Sequence, residues 1–119
     1  MKFKVVVIIT SMELADKMVD IAKGAGATGA TILPGRGTGI HEALTFFGLS
    51  LDTQRSIVLL VVSEACAAAV LYAIREEGDF KKPGTGIAFS FALDKVVGLE
   101  SQIPHLDCDD VAAEEEEKG

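Results

Sequence analysis

Tryptophan is absent from this 119-residue chain and tyrosine occurs once, at Tyr72, so stacking platforms for nucleic-acid bases are poorly supplied. Cationic surface is equally scarce. Eleven Lys and Arg face 18 Asp and Glu, which leaves no basic footprint for duplex nucleic acid. Two cysteines, Cys66 and Cys108, do not make a disulfide framework, and a reduced cytoplasmic setting is the expectation. No apolar run approaches the roughly 18 residues of a spanning helix, so direct membrane insertion is not expected. Met1-Lys2-Phe3-Lys4 leads straight into a strand-like run without a small-residue cleavage site, and no signal peptide is read there.

What is present fits one small domain. Hydrophobic residues make up 49% and charged residues 24%, which is ordinary for a globular chain. The charge is uneven. Residues 1–103 carry a net −1 and residues 104–119 a net −6, so the acidity belongs to a tail. Domain organisation is therefore read as a folded body over 1–103 and an acidic, disordered tail over 104–119, with Ala112–Gly119 furthest from any ordered composition.

Along the body, Phe3–Thr10 is β-branched and reads as a strand, apolar on both faces in its later half as in a central strand. Thr10-Ser-Met-Glu13 has the spacing of a capping box. Behind it, Leu14, Met18, Ile21, Ala22 and Ala25 mark one face of a helix that Gly24 or Gly26 can end. Thr28–Leu33 is a second strand, and Pro34-Gly-Arg-Gly-Thr-Gly39 is expected to break it. A long connection over about 35–55 follows, with a short helical piece over Ile40–Phe47; connections of this length in a small domain are commonly functional or disordered. Phe46, Phe47, Leu49 and Leu51 are apolar for such a loop and suit a partner surface or a lid. Ser56–Ser63 is a strand, and Ser63 or Glu64 opens a second helix running to about Glu77, with Cys66, Val70, Ala73 and Ile74 on one face. Gly78–Thr85 is a polar loop. Gly86–Leu93 alternates, placing Ile87, Phe89, Phe91 and Leu93 on one side, and Lys95–Leu99 is a further short strand.

The order is βαββαβ, the split βαβ or ferredoxin-like arrangement, an α+β fold. A four-stranded antiparallel sheet with both helices on one face follows from the handedness of the crossovers. The other face needs cover, since Ile87, Phe89, Phe91 or their neighbours would otherwise be an exposed apolar patch, and self-association is the simplest cover.

Three features sit together: Gly29-Ala-Thr-Ile-Leu-Pro-Gly-Arg-Gly-Thr-Gly39 entering the long loop, the loop itself, and Lys82-Pro-Gly-Thr-Gly-Ile-Ala-Phe89 entering the last strand. In element order and motif position, residues 1 to about 100 resemble the PII signal-transduction family (the nitrogen regulatory protein PII superfamily), in its divergent PII-like branch. The resemblance implies a homotrimer, an adenine nucleotide (ATP, ADP or AMP) bound in clefts between subunits, and a loop, here 35–55, that contacts a transporter or enzyme target. It implies a regulatory protein and not an enzyme, with no metal beyond magnesium accompanying the nucleotide. Two departures weaken phosphate clamping. The family's Gly-x-Gly-Lys reads Gly84-Thr-Gly86-Ile87 here, and Val96–Leu99 lacks the family's arginines.

The site residues expected on this basis are Gly29, Thr31, Gly35, Arg36 and Gly37 on one segment and Lys81, Lys82, Gly84, Thr85 and Gly86 on the other. Glycines allow close backbone approach or an anion-binding nest around Gly84–Gly86, against the plainer reading of a turn entering a strand. Arg36 between two glycines offers a bidentate guanidinium, against the alternative of a surface arginine in a flexible turn. Lys81 and Lys82 supply positive charge that Ile87 does not, unless they are only solvated. Thr31, in the family's Gly-x-Thr position, would hydrogen-bond an adenine edge, or serve only as a strand threonine.

The alternatives are a metal-responsive trimer similar to CutA and an assembly module without a ligand. His41, Cys66, His105, Asp107 and Cys108 show no recognised zinc spacing, and Cys66 reads as a small buried hydrophobe.

Overall fold

A computed structural model describes residues 2–37 and 53–99. The elements run β1 (Phe3–Ser11), α1 (Ala15–Gly24), β2 (Thr31–Gly37), β3 (Thr53–Ser63), α2 (Glu64–Glu77) and β4 (Gly86–Ala92). The strands form one antiparallel sheet in the order β2-β3-β1-β4, so the most apolar strands are central and β2 and β4 are the edges. This is the expected ferredoxin-like arrangement.

Register divides the sheet into two faces, because directly paired residues share a side. Val6 pairs with Leu60 and Ile8 with Val58. Those four side chains, with Val62, are fully buried against Met18 and Ala22 of α1 and Val70 and Ile74 of α2. Both helices therefore lie on this face, and their small residues, Ala22 and Ala67 among them, let the layers approach closely. The other face holds three apolar rows: Val5–Val61–Phe91, Val7–Leu59–Phe89 and Ile9–Ile57–Ile87. Val5 and Val7 are buried in the central trough, whereas Ile87 is 59%, Phe89 41% and Phe91 52% exposed. The period-two reading of β4 thus holds, and among the described residues no helix lies over this apolar face.

Several boundaries differ from expectation. The β1 strand continues to Ser11, and α1 starts at Ala15 behind Leu14 with no side-chain cap. The Thr10-to-Glu13 capping box is not made, because the buried Thr10 hydroxyl donates to the Thr85 carbonyl at 2.7 Å. The β2 strand lies three to four residues later than expected and includes Pro34-Gly-Arg-Gly37. Its place at the sheet edge explains this, since an edge strand tolerates a residue without an N–H. The connection is correspondingly shorter at both ends, with Gly35 paired to Arg55 and Gly37 to Thr53. Residues 95–99 form no strand. The second helix matches expectation, with Ser63 as its N-cap accepting from the Cys66 amide at 3.1 Å. Cys66 is buried as expected, but it is disulfide-bonded, which corrects its reading as a plain reduced hydrophobe. Ile40–Phe47, His41, Leu49, Leu51, His105, Asp107, Cys108 and the tail lie outside the described residues.

Candidate functional site

The loop from Gly78 to Gly86 is built largely from its own hydrogen bonds. Gly78 closes α2 by donating to the Ile74 carbonyl at 2.9 Å, and Phe80 donates to the Arg75 carbonyl at 3.1 Å. Asp79 takes a left-handed conformation (φ 59°), which a short polar side chain tolerates better than most. Its carbonyl accepts from the Lys82 amide (3.1 Å) and from the Thr85 hydroxyl (3.1 Å). The Thr85 amide in turn donates to the Lys82 carbonyl at 3.3 Å. Both Thr85 donors are therefore spent inside the loop, and its carbonyl receives Thr10. Thr85 gives the segment its shape. An anion here would be met by other donors.

The two glycines flanking Thr85 play different parts. Gly86 has φ +150°, and a Cβ there would run into the Ile9 carbonyl oxygen, so the residue lets β4 dock on β1. Gly84 also has positive φ (+87°), but a Cβ would meet nothing within 4 Å. Its glycine answers to backbone conformation and leaves open space beside it.

Charge gathers around this loop. Lys81 is exposed and sits 3.2 Å from a Glu76 carboxylate oxygen. It shares a shallow cleft of about 440 Å³ with Arg75, Phe80, Gly86 and Ile87 on the outer side of β4. Sequence reasoning missed Arg75. Its signal was its place one turn before the Gly78 stop, four residues after Leu71, which puts both on one helix face. Lys82 is exposed.

At the opposite edge, Arg36 is exposed on β2 and pairs across the strands with Gln54. Met12, Pro34, Gly35, Arg36 and Gln54 line a cleft of about 370 Å³. Arg36 is thus presented from a strand and not from a flexible turn. Gly29 and Thr31 line a third cleft, of about 440 Å³, with Val5, Leu59, Val61 and Leu99 on the sheet face opposite the helices.

The register relates these places. Pro34, Ser56, Thr10 and Gly86 form one row across all four strands. The Arg36 segment and the Lys81–Gly86 segment consequently lie at the same end of the sheet. They occupy opposite edges, with three strand spacings, about 14 Å, between them. One copy of the chain does not bring them together into one site. Among the described residues, no group of three His, Cys, Asp or Glu is placed to hold a metal ion.

A family model described as nitrogen regulatory protein P-II matches residues 3–102. Solved structures with the same fold include a PII-like signalling protein from Thermus thermophilus, 27% identical, covering 77% of this chain and 86% of that one at a TM-score of 0.60. A second is CPII bound to ADP, AMP and acetate, from Thiomonas intermedia (20% identity, 82% and 91% coverage, TM-score 0.64). A third is the B. subtilis GlnK–ATP complex (20% identity, 84% and 91% coverage, TM-score 0.63). A comparison with curated proteins gave no significant match.

Proposed function

The chain belongs to the nitrogen regulatory protein P-II family, and we propose that it works as a homotrimeric, cytoplasmic regulator that binds an adenine nucleotide at each boundary between subunits. One observation carries the reading: two glycine-rich, cation-bearing segments share one end of the sheet but lie on opposite edges. The β2 edge of one subunit set against the β4 edge of another makes one continuous site from two halves. Among the described residues Ile87, Phe89 and Phe91 are exposed, and they supply apolar surface for that assembly.

In this site Arg36, Lys81 and Lys82 meet the phosphates, with Gly35, Gly37, Gly84 and Gly86 keeping the backbone low beside them. Gly29 and Thr31 take the adenine side. Charge-assisted donors suit a phosphate chain. The Glu76–Lys81 pair, the Ile87 position and the absence of arginine in Val96–Leu99 set a low cation count, so ADP and AMP compete well with ATP. The nucleotide acts on residues 35–55, whose ends are held in the sheet as Gly35–Arg55 and Gly37–Thr53 pairs, and that segment addresses a transporter or an enzyme. Relatives with the same fold were solved with ADP and AMP and with ATP, which supports an adenine nucleotide as effector. Magnesium enters only as the nucleotide's companion. The protein regulates by binding and catalyses nothing. Among the described residues no helix is long and apolar enough to cross a membrane.

The test is calorimetric titration of the full chain with ATP, ADP, AMP and cyclic AMP, beside sedimentation. Saturable binding by a trimer, weakened about tenfold in Arg36→Ala and in Lys81→Ala/Lys82→Ala, is the expected result. A stable monomer, or a trimer that ignores all four nucleotides at millimolar concentration, overturns it.

A further inference from the structure

Among the described residues, two charged side chains line the cleft beside β4, Arg75 and Lys81, and they are held differently. Lys81 is engaged by Glu76, with its Nζ 3.2 Å from one carboxylate oxygen and 3.5 Å from the other. Arg75 is exposed, and among the described residues no acid or acceptor holds its guanidinium. The end of α2 does not call on that charge either. The Ile74 carbonyl already accepts from the Gly78 amide, and the Arg75 carbonyl from the Phe80 amide. We propose that Arg75 is a phosphate-contacting cation of the nucleotide site and that Glu76, by holding Lys81, sets how strongly the site takes each further phosphate. The proposal rests on the nucleotide reading given above and names the residues that tune it.

The sheet edge adds backbone donors to the same cleft. Across the β1–β4 ladder the Leu93 amide donates to the Phe3 carbonyl at 3.0 Å. Facing pairs in an antiparallel ladder alternate between bonded and non-bonded. Phe91, Phe89 and Ile87 therefore turn their backbone groups toward β1, whereas Gly86 and Ala88 turn theirs outward. Both Gly86 and Ala88 line the cleft, and Leu71, Ile74 and Phe80 give it an apolar wall. An oxyanion there meets a planar guanidinium fork beside N–H donors, and charge-assisted bonds of that kind suit phosphate. Arg75 thus supplies, from the helix side of β4, the cation that the Ile87 position does not.

Glu76 works in the opposite direction. Its carboxylate neutralises Lys81, so a ligand phosphate must draw Lys81 away from it or bind without that lysine. Either way a nearby negative charge opposes the ligand, and the opposition grows with every phosphate added, from AMP through ADP to ATP. The pair can open on binding. The Lys81 side chain is 62% exposed and that of Glu76 34%, and exposed pairs of this kind are weak.

The test is calorimetric titration of the full chain and its variants with AMP, ADP, ATP and inorganic tripolyphosphate at low salt, where surface charge is least screened. Arg75→Ala should weaken all four about tenfold. Glu76→Gln should tighten AMP roughly twofold, ADP more and ATP most. Most of that gain should vanish when Lys81→Ala is made in the same chain, which separates release of Lys81 from loss of a bare charge. Asp20→Asn, at an exposed acid of α1 outside the cleft, makes the same change of net charge and should leave every affinity as it was. Unchanged affinities in Arg75→Ala, an equal gain for all ligands in Glu76→Gln, a gain that survives Lys81→Ala or the same gain in Asp20→Asn overturns the assignment. Nucleotide binding by the parent that ignores Arg75 and Glu76 leaves the nucleotide reading standing without it. Tripolyphosphate binding that follows the expected pattern while all three nucleotides are ignored supports the anion cleft and overturns the nucleotide reading. Binding of none of the four overturns both.

Discussion

The loop over 78–86 and the end of β2 both present glycines and cations at one end of the sheet, but they are built on different principles. The loop is closed on itself. Asp79, Thr85 and Thr10 exchange hydrogen bonds, and Gly86 is wedged against β1. The β2 end lies at the sheet edge, with Gly35, Arg36 and Gly37 paired among the described residues to β3 alone. A glycine in a suspected binding segment can therefore be required by the fold, by the backbone conformation or by a ligand. These cases separate when stability and binding are measured on the same variants.

The largest effect is expected at Gly86. Gly86→Ala forces a Cβ onto the Ile9 carbonyl at a φ of +150°, so β4 must leave β1 or the backbone must deform. Unfolding in urea should show a loss above about 3 kcal/mol. A variant as stable as the parent would mean that β4 does not dock here as described.

Thr10→Val comes next. It keeps the shape but removes a buried 2.7 Å hydrogen bond and leaves the Thr85 carbonyl unpaired. The expected loss is about 1–3 kcal/mol by the same measurement. An unchanged midpoint would show that the loop is held without the bridge from β1. Gly84→Ala follows, at about 1 kcal/mol, because only the left-handed backbone resists it. A loss matching that of Gly86→Ala would erase the distinction between the two glycines.

The same contrast explains what could be read in the sequence. Strand β4 with its alternating apolar side chains and α2 behind its Ser63 cap were legible, because period and capping are local signals. The Thr10–Glu13 capping box failed for a reason no local window contains: its threonine is claimed by Thr85, 75 positions away. Pro34 was read as a strand breaker, and only its edge position removes the objection. The candidate residues were legible as glycines and cations. Their division between two sheet edges, the Glu76 partner of Lys81 and the share of Arg75 required the register and the packing. The bonded state of Cys66 had no local signal either, since a cysteine among alanines on a helix looks the same bonded or free.

Gly37 is the smallest effect and the sharpest use of the comparison. It lies in β2 opposite Thr53, and no left-handed φ sets it apart. A Cβ would meet the Arg55 Cγ at 3.6 Å, an ordinary contact with a flexible side chain. Glycine inside a strand also gives up more backbone entropy on folding than alanine, by about 0.5–1 kcal/mol. The fold thus has no use for glycine at this position, and Gly37→Ala should be neutral or slightly stabilising in urea unfolding. If a nucleotide approaches the backbone beside Arg36, the added methyl stands in its way. Binding should then weaken severalfold while stability holds or rises. That split would assign the glycine to the ligand. Loss of stability would return it to the fold, and unchanged binding with unchanged stability would place the phosphates away from Gly37.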